Sequence, residues 1–312
     1  MRYRSLGTSG LLVSVVGLGC NNFGRRLDLN GTRAVVDAAI EAGITLFDTA
    51  DIYGGQGGSE ESLGAALRGR REHAVVATKF GMDMGDGALA RGSRRYIRQA
   101  VEASLRRLET DWIDLYQYHQ PDNVTPVEET LAALDELVTE GKVRYIGSSN
   151  FEGWRLVEAE WTARSAHRTR FVSAQNRYSL LERQVERELV PAARRCGVGI
   201  LPFYPLAAGV LTGKYRRGEP PPPGTRLAGQ PHRASEMLTD ATFAVVERLE
   251  AVARDRGHTM LELAIAGLAA RPAVSSVIAG ATSPEQVRSN AGAGDWELTA
   301  ADLEALDKAL AA

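Results

Sequence analysis

Short apolar runs rich in β-branched residues alternate along this chain with longer stretches in which apolar residues recur at helical spacing. The short runs predict buried strands, and the longer stretches predict amphipathic helices. The predicted strands cover 14–19, 45–49, 74–79, 113–118, 143–148, 171–174, 199–203 and 276–279. The helices that follow them cover 32–42, 60–68, 94–108, 127–140, 153–166, 185–196, 260–270 and 284–291.

Eight strands, each followed by a helix, predict a parallel sheet with helices packed around it. Continuous apolar strands and the lack of a mid-chain linker favour a closed barrel over an open sheet. We therefore predict an α/β fold, a (β/α)8 TIM barrel that occupies residues 1–312 as a single domain. Additions to this barrel are an N-terminal β-hairpin, a long loop and extra helix (243–255) after strand seven, and a C-terminal helix (300–310).

Charge and cysteine content narrow the class of protein. The chain has 37 basic and 39 acidic residues and a net charge of −2, which gives no electrostatic footprint for nucleic acid or an anionic membrane. Two cysteines, Cys20 and Cys196, fit a reducing compartment. The apolar segment 11–18 is too short and too interrupted for a signal peptide, and no run approaches the ~18 apolar residues of a membrane span. These features predict a cytoplasmic protein, with its oligomeric state open.

Polar side chains gather where consecutive predicted strands end. Asp48 ends strand two and Tyr53 follows it, Lys79 ends strand three, and His119 follows strand four. Active sites of β/α barrels form at the C-terminal ends of the strands. A buried Asp–Lys pair or a single histidine is more often structural, but four such residues at adjacent strand ends predict a catalytic group.

The four residue types suit the reduction of a carbonyl group. Hydride arriving at the carbon leaves negative charge on the oxygen, which a proton donor must meet. A free tyrosine has a pKa of about 10, and a nearby ammonium group lowers that pKa. Lys79 can act in this way on Tyr53, with Asp48 holding the lysine, while His119 donates a hydrogen bond to the carbonyl oxygen.

Other chemistries find less support. The chain lacks a Gly-x-Ser-x-Gly elbow, and its histidines are scattered without metal-ligand spacing, so no metal site is predicted. The histidines are His73, His119, His167, His232 and His258. A dinucleotide fingerprint at 17–22 lacks its third glycine and its helix, and 213–215 does not form a phosphate-binding P-loop.

A nucleotide site is indicated late in the chain. Residues 201–206 can present an aromatic face at the barrel rim, and Lys214 and Arg226 in the following loop can pair with phosphates. Residues 280–284 start the last barrel helix, whose N-terminus favours an anion. On local sequence, a helix that is simply capped there is an equally good interpretation.

Six motifs together resemble the aldo-keto reductase family along nearly the whole chain. They lie at 47–54 (FDTADIYG), 77–81 (ATKFG), 119–122 (HQPD), 141–150 (GKVRYIGSSN), 205–215 (PLAAGVLTGKY) and 280–286 (GATSPEQ). Their order and spacing are those of the family's bacterial reductases and potassium-channel β-subunits. The resemblance implies a barrel that binds NADPH across its C-terminal mouth and reduces small carbonyl substrates.

The resemblance also assigns roles to individual positions. Asp48, Tyr53, Lys79 and His119 match the family's catalytic tetrad, with Tyr53 as proton donor. The positions that match cofactor contacts are Gly19, Cys20, Asn21, Asp48, Ser149, Asn150, Gln175, Phe203, Tyr204, Pro205, Leu206, Lys214, Arg226, Gly280, Thr282, Gln286 and Asn290. Among them, Ser149, Asn150 and Gln175 match contacts of the nicotinamide carboxamide, Lys214 and Arg226 match phosphate contacts, and the last four match the adenosine end.

The sequence departs from the family's pattern at three positions. Phe203 lacks the hydroxyl or indole N–H of the usual ring that stacks on nicotinamide. Tyr204 stands where serine is common and predicts a narrower pocket there. Ser289 replaces a residue that is often acidic, which softens the preference for NADPH over NADH.

Three functions are compatible with these residues. NADPH-dependent reduction of an aldehyde or ketone leads. The alternatives are a redox-sensing partner protein that binds NADPH with little turnover, and a barrel lyase or isomerase without nicotinamide. The identity of the carbonyl substrate depends on the pocket loops at 20–30, 83–92 and 207–240, and the sequence leaves it and the physiological direction open.

Overall fold

A two-stranded hairpin followed by a closed parallel barrel makes up the sheet structure of this computed structural model, which describes residues 1–311. In the hairpin, β1 (Tyr3–Ser5) pairs antiparallel with β2 (Leu12–Ser14). The barrel strands are β3 (Val16–Gly19), β4 (Leu46–Asp48), β5 (Val75–Phe80), β6 (Ile113–Tyr118), β7 (Val143–Ser149), β8 (Phe171–Arg177), β9 (Gly199–Phe203) and β10 (Val277–Gly280). They pair in chain order, and β10 pairs with β3 to close the barrel.

Helices surround this barrel. They are α1 (Leu29–Glu41), α2 (Tyr53–Gln56), α3 (Gly58–Leu67), α4 (Arg94–Leu108), α5 (Val127–Thr139), α6 (Gly153–Ser165), α7 (Leu189–Cys196), α8 (Pro231–Met237), α9 (Asp240–Asp255), α10 (Met260–Ala269), α11 (Pro284–Ala293) and α12 (Ala300–Ala311). The predicted (β/α)8 barrel with its N-terminal hairpin is confirmed, and every predicted strand and helix overlaps an observed one.

Most boundaries differ from the prediction by one to three residues, and two of the differences have clear physical reasons. The strand expected at 171–174 continues to Arg177, because the backbone of Gln175–Arg177 still pairs with β9 although the side chains become polar. The helix expected from residue 185 begins only at Leu189, after a 3₁₀ turn at Gln184–Glu186. Pro191 explains this start, because proline is tolerated in the first turn of a helix but not inside it.

The hairpin fills the end of the barrel at which the strands begin. Leu6 and Val13 are fully buried in one apolar cluster with Leu46, Leu115 and other residues of the barrel strands. Each such side chain contributes roughly 1.5–3 kcal/mol on leaving water. Because this end is plugged, a site can open only at the opposite end, where the strands finish.

The helices bury apolar faces against the outside of the strands. In α4, for example, Ile97, Val101, Leu105 and Leu108 recur at helical spacing and are all buried, while Arg94, Arg95 and Arg106 are exposed. Ser93 caps this helix by accepting a hydrogen bond from the amide of Tyr96. Packing of this kind on all sides fixes the strand ends that carry the site.

Candidate active site

A buried ion pair joins the ends of β4 and β5. The Nζ atom of Lys79 lies 2.8 Å from Oδ2 of Asp48 and also donates to the main-chain oxygen of Thr49 at 2.8 Å. Burial lowers the pKa of Lys79, but Asp48 and Tyr53 outweigh this effect and raise the pKa above its ordinary value. Lys79 is therefore a charged ammonium group although it is fully buried.

The second carboxylate oxygen of Asp48 is held by two glutamines. Gln175 on β8 donates to Oδ1 at 2.7 Å, and Gln117 on β6 donates to the same oxygen at 3.4 Å. Side chains of β5, β6 and β8 thus meet at one aspartate. This arrangement fixes the orientation of the ion pair within the barrel.

Tyr53 projects from a tight turn that follows β4. Gly54, Gly55 and Gln56 in this turn all adopt positive φ, and glycine reaches such angles without steric cost. At Gly54 a Cβ atom would lie 2.4 Å from the amide nitrogen of Ser59, so a larger residue does not fit. The turn packs tightly and delivers the tyrosine ring to a fixed place.

The four predicted catalytic side chains lie together. The Nζ atom of Lys79 is 5.0 Å from the centroid of the half-buried Tyr53 ring. The His119 ring lies on another side of Tyr53, with the ring centroids 5.8 Å apart and nearly perpendicular. The tetrad inferred from residue types at strand ends is therefore one spatial cluster.

The pKa of Tyr53 differs from the sequence-based expectation. Burial raises it, and Lys79 lowers it by less, so the pKa lies above the ordinary value for tyrosine. The expectation of a lowered pKa is wrong in net direction, because desolvation of the phenolate outweighs the nearby ammonium group. The hydroxyl is therefore fully protonated at neutral pH, as a proton donor must be.

His119 is a neutral imidazole. Burial, followed by the charge of Lys79, lowers its pKa to about 3. Its Nδ1 atom is buried and has no hydrogen-bond partner within residues 1–311, and its main-chain oxygen accepts a hydrogen bond from Asn150. A neutral ring can donate one N–H bond to a substrate oxygen but does not exchange protons near pH 7.

A cavity of about 490 Å³ opens beside the tetrad, and its size falls in the range of small-molecule sites. The predicted positions that line it are Gly19, Cys20, Asn21, Asp48, Tyr53, Phe203, Tyr204, Pro205, Leu206, Lys214, Arg226, Gly280, Thr282, Gln286 and Asn290. Ser149 and Gln175 are buried outside this lining, and Asn150 lines a second cavity of about 480 Å³. The structure thus brings most of the predicted cofactor positions, but not these three, to one surface.

Three cations at the cavity have no carboxylate partner in the described chain. They are Arg26, Lys214 and Arg226, which come from two distant segments. Burial lowers the pKa of Arg226, and Arg26 and Arg233 add to this effect by like-charge repulsion. Lys214 lies along Gly209, where a Cβ atom would come within 2.6 Å of its Nζ atom. Three cations without carboxylate partners, two of which (Arg26 and Arg226) repel each other, fit an anionic ligand such as a nucleotide.

Tyr204 forms a bridge from β9 to the long loop. Its backbone is left-handed (φ 63°), which is costly for an aromatic residue. The guanidinium groups of Arg177, Arg226 and Arg233 lie 4.7, 5.7 and 5.0 Å from its ring centroid. Arg233 of α8 also donates a hydrogen bond to its hydroxyl. The bulky ring lines the cavity, and it ties α8 to the barrel.

The N-terminus of α11 is capped by its own residues. Ser283 accepts a hydrogen bond from the amide of Gln286, and Pro284 occupies the first turn. The side-chain oxygen of Gln286 in turn accepts from the amide of Thr282 at 2.8 Å. The interpretation of residues 280–284 as a capped helix is confirmed, and an anion at this terminus stays a prediction.

Several residues of the site were not predicted from sequence. Gln117 lies inside a strand and gives no local signal, and Arg26 belongs to an irregular loop. Arg233 lies on α8, a short helix missed within the long loop although Pro231 at its start is a recognised helix signal. Lining residues absent from the prediction are Asn22, Arg26, Ala208, Gly209, Thr212, Gly224, Thr225, Leu261, Ile278, Ala279, Ala281 and Glu285.

Within 1–311, no cluster of three or more His, Cys, Asp or Glu side chains has the arrangement of a metal site. No helix in that range has the length and apolarity needed to cross a membrane.

Comparison with known proteins places the chain in a family. The model of the aldo/keto reductase family matches residues 15–311. The uncharacterized oxidoreductase YrpG of Bacillus subtilis is 40% identical over 92% of this chain and 89% of its own. A probable voltage-gated potassium channel subunit beta of rice is 37% identical, covering 95% and 92%. The L-glyceraldehyde 3-phosphate reductase of Escherichia coli K12 is 36% identical, covering 93% and 86%. This chain belongs to the aldo/keto reductase family.

Proposed function

We propose that this protein is a cytoplasmic, NADPH-dependent reductase, acting as a single domain over 1–312, that converts an aldehyde or ketone to an alcohol. The observation that supports this proposal most strongly is the position of Tyr53 at the cavity beside the buried Lys79–Asp48 pair. Such a pair places a permanent positive charge next to a protonated hydroxyl. That combination favours proton donation to an oxygen on which negative charge is developing.

In the proposed reaction, each residue of the tetrad has a separate role. NADPH, when bound, supplies the hydride that adds to the carbonyl carbon. The Tyr53 hydroxyl gives its proton to the carbonyl oxygen, and Lys79 stabilises the phenolate that remains. His119 donates a hydrogen bond to the same oxygen and so orients the substrate. Asp48 acts on Lys79 and keeps it charged in an environment that disfavours charge.

The unpaired cations support a dinucleotide as the ligand of the cavity. Lys214 and Arg226 would hold phosphate groups, and Gly280, Thr282, Gln286 and Asn290 would contact the adenosine end. Phe203 would pack on the nicotinamide ring through apolar contact alone. The resemblance assigns Ser149, Asn150 and Gln175 to the carboxamide, and these three contacts are part of the proposal.

The test is a fluorescence titration of the purified protein with NADPH and, separately, with NADH. Tight NADPH binding with much weaker NADH binding, followed by NADPH oxidation on adding a reactive aldehyde, is the expected result. Equal affinities would leave the reductase but remove the phosphate argument for NADPH. If neither nucleotide binds, the proposal is overturned, and the alternative of a barrel lyase or isomerase without nicotinamide becomes the leading hypothesis.

The name of one relative suggests the first class of substrate to test. The Escherichia coli relative is named as an L-glyceraldehyde 3-phosphate reductase, so a small phosphorylated aldehyde belongs in the screen. Comparing the phosphorylated aldehyde with the same aldehyde without phosphate would show whether the cavity favours a negatively charged substrate. A preference for the phosphorylated form would be reflected mainly in KM.

A second function is favoured by the relatives named as channel subunits in rice and Arabidopsis. In this alternative the protein binds NADPH and acts through a partner, with little turnover. Stoichiometric capture of one partner from its own host, together with negligible turnover on a broad set of carbonyls, would favour it. Multiple turnovers of NADPH on a simple aldehyde would exclude it as the leading function.

A further inference from the structure

A second buried carboxyl group lies directly behind the turn that carries Tyr53. Asp51 is 2% exposed, and its Oδ1 atom has no hydrogen-bond partner within the described residues. Its main-chain amide donates to the main-chain oxygen of Lys79 at 3.1 Å. The mechanism proposed above does not use this side chain.

The neighbouring Glu60 takes the partners that Asp51 lacks. Glu60 is fully buried, and its two oxygens accept from Nε of Arg107 at 2.6 Å and from the Thr78 hydroxyl at 2.5 Å. One guanidinium group therefore faces two buried carboxyl groups. A second negative charge in this place would be uncompensated, so the arrangement favours an uncharged Asp51.

The charge state of Asp51 follows from these contacts. Burial, and then the charge of Glu60, raise its pKa to about 8, although Arg107, the main-chain amide of Ile52 and Lys79 act in the opposite direction. Asp51 is thus neutral at neutral pH and becomes, in mildly alkaline solution, a buried carboxylate whose nearest guanidinium group is already paired with Glu60. The cost of that state must be relieved by moving the chain around it.

Any such movement reaches Tyr53. The amide of Tyr53 donates to Ala50, so Asp51 lies inside the hydrogen-bonded turn that sets the tyrosine backbone. The turn is closely packed, because a Cβ atom at Gly54 would lie 2.4 Å from the main-chain nitrogen of Ser59 and 2.7 Å from the main-chain oxygen of Phe23. The main-chain oxygen of Lys79 accepts the hydrogen bond from the Asp51 amide, and the side chain of Lys79 donates to Asp48. Lys79 therefore connects Asp51 to the other members of the tetrad.

We propose that Asp51 is a positioning residue for Tyr53: the tyrosine turn keeps its place only while the buried Asp51 side chain is uncharged, and ionisation of this side chain displaces the turn and sets an alkaline limit on activity. The activity part of this proposal rests on the proposed reductase function. The positioning part concerns the turn alone and can be tested without turnover.

Several charged and titratable groups face Asp51. They are Glu60 on α3, Arg107 and Tyr96 on α4, Tyr116 on β6, and Lys79 on β5. Burial, with a contribution from Asp51, raises the pKa of Tyr96 to about 12 and that of Tyr116 further. The pKa values of Lys79 and of Tyr53 itself are also raised. A transition near pH 8 at this turn therefore belongs to Asp51.

The experiment compares the wild type with Asp51→Asn, which keeps the size of the side chain and removes its titration. Asp111→Asn, at an exposed aspartate, is the matched control. The Tyr53 ring resonances are followed by NMR in tyrosine-labelled protein between about pH 6 and about pH 10, and assigned by their loss in Tyr53→Phe. NADPH-dependent reduction of an aldehyde is measured over the same range.

In the wild type and the Asp111 control, we expect a shift of the Tyr53 resonances centred near pH 8. The reductase kcat should fall about tenfold for each further pH unit, with KM nearly unchanged. Asp51→Asn should abolish the resonance shift and move the fall in kcat to higher pH. A resonance shift that persists in Asp51→Asn, or a wild type without any shift, would overturn the proposal even if the variant folds poorly.

If no carbonyl is turned over, the resonance shift still decides the positioning role, while the reductase function fails separately. Thermal unfolding checks the charge state. The unfolded carboxyl ionises near pH 4 and the folded one near pH 8, so the wild type must lose stability relative to Asp51→Asn as pH rises through that window. A constant difference in Tm across the window would show that Asp51 is ionised throughout, against the proposal.

Discussion

Gln175 donates a hydrogen bond to Asp48 across the barrel, with Nε2 2.7 Å from Oδ1. Family resemblance assigns this glutamine to the nicotinamide carboxamide, yet in the structure it is buried and outside the cavity lining. Its contact makes it part of the support of the Lys79–Asp48 pair. The donation to Asp48 uses one of the two N–H groups of this amide, and the other N–H and the oxygen are additional hydrogen-bonding groups.

Replacing Gln175 by Met tests which partner matters. Loss of a hydrogen bond to a charged group costs about 1.5–3 kcal/mol, so we expect kcat to fall about tenfold or more through a less well held Asp48. The dissociation constant for NADPH, measured by fluorescence titration, should change less than threefold. A large loss of NADPH affinity with unchanged kcat would instead assign Gln175 to the cofactor.

Tyr53→Phe should remove the proton donor and leave the cavity almost unchanged. We expect kcat for aldehyde reduction to fall by about 10²–10⁴-fold, the usual range for a general acid, with NADPH affinity retained. Tyr3→Phe, on the exposed hairpin, serves as the control and should keep full activity. A Tyr53→Phe enzyme near the wild-type rate would show that another group supplies the proton.

Lys214→Ala and Arg226→Ala should each weaken NADPH binding by roughly 10- to 100-fold, because each removes a charge-assisted contact to phosphate. The loss should diminish at high ionic strength, since the cavity is open to solvent. Lys308→Ala, an exposed lysine on α12, should have no effect. Titration with NADH refines the assignment: an equal loss places the cation on the shared pyrophosphate, and a smaller loss places it on the 2′-phosphate.

His119 should make the free energy of unfolding depend on pH in the acid range. Its folded pKa of about 3 lies below the unfolded value of about 6.5, so the unfolded chain binds the extra proton first. The wild type should therefore lose stability relative to His119→Gln as pH falls from about 6.5 towards about 3, by up to about 1.4 kcal/mol per pH unit. Urea unfolding of both proteins over this range measures the difference, and parallel curves would mean that the imidazole is charged in the fold.

The fold could be predicted from sequence because its signals are local. Each barrel strand is a short apolar run and each helix has an apolar face, as in α4, so the alternation alone indicates eight units. The ends of elements were less predictable where polarity and backbone pairing disagree. Arg177 is an example, since its side chain is polar while its backbone still belongs to β8.

The site was predictable only in part, for a related reason. Residue type and position at the strand ends were enough to predict four members of the site, Asp48, Tyr53, Lys79 and His119. The net direction of the Tyr53 pKa could not be predicted, because it depends on how completely the ring is desolvated, which only the packed structure shows. The unpartnered state of Asp51 likewise depends on Glu60 taking the nearby cation.

The pairing of β10 with β3 has a consequence for how the protein is made. The cavity needs Gly19 from the first barrel strand and Gly280 from the last, so a growing chain on the ribosome lacks part of the cavity wall until nearly all of it has been synthesised. Nucleotide affinity should accordingly arise in one late step, when the last strand completes the ring. A prematurely terminated chain that ends before β10 would leave β3 and β9 as unpaired edge strands. Such exposed edges are prone to aggregation and are features that chaperones and proteases can recognise.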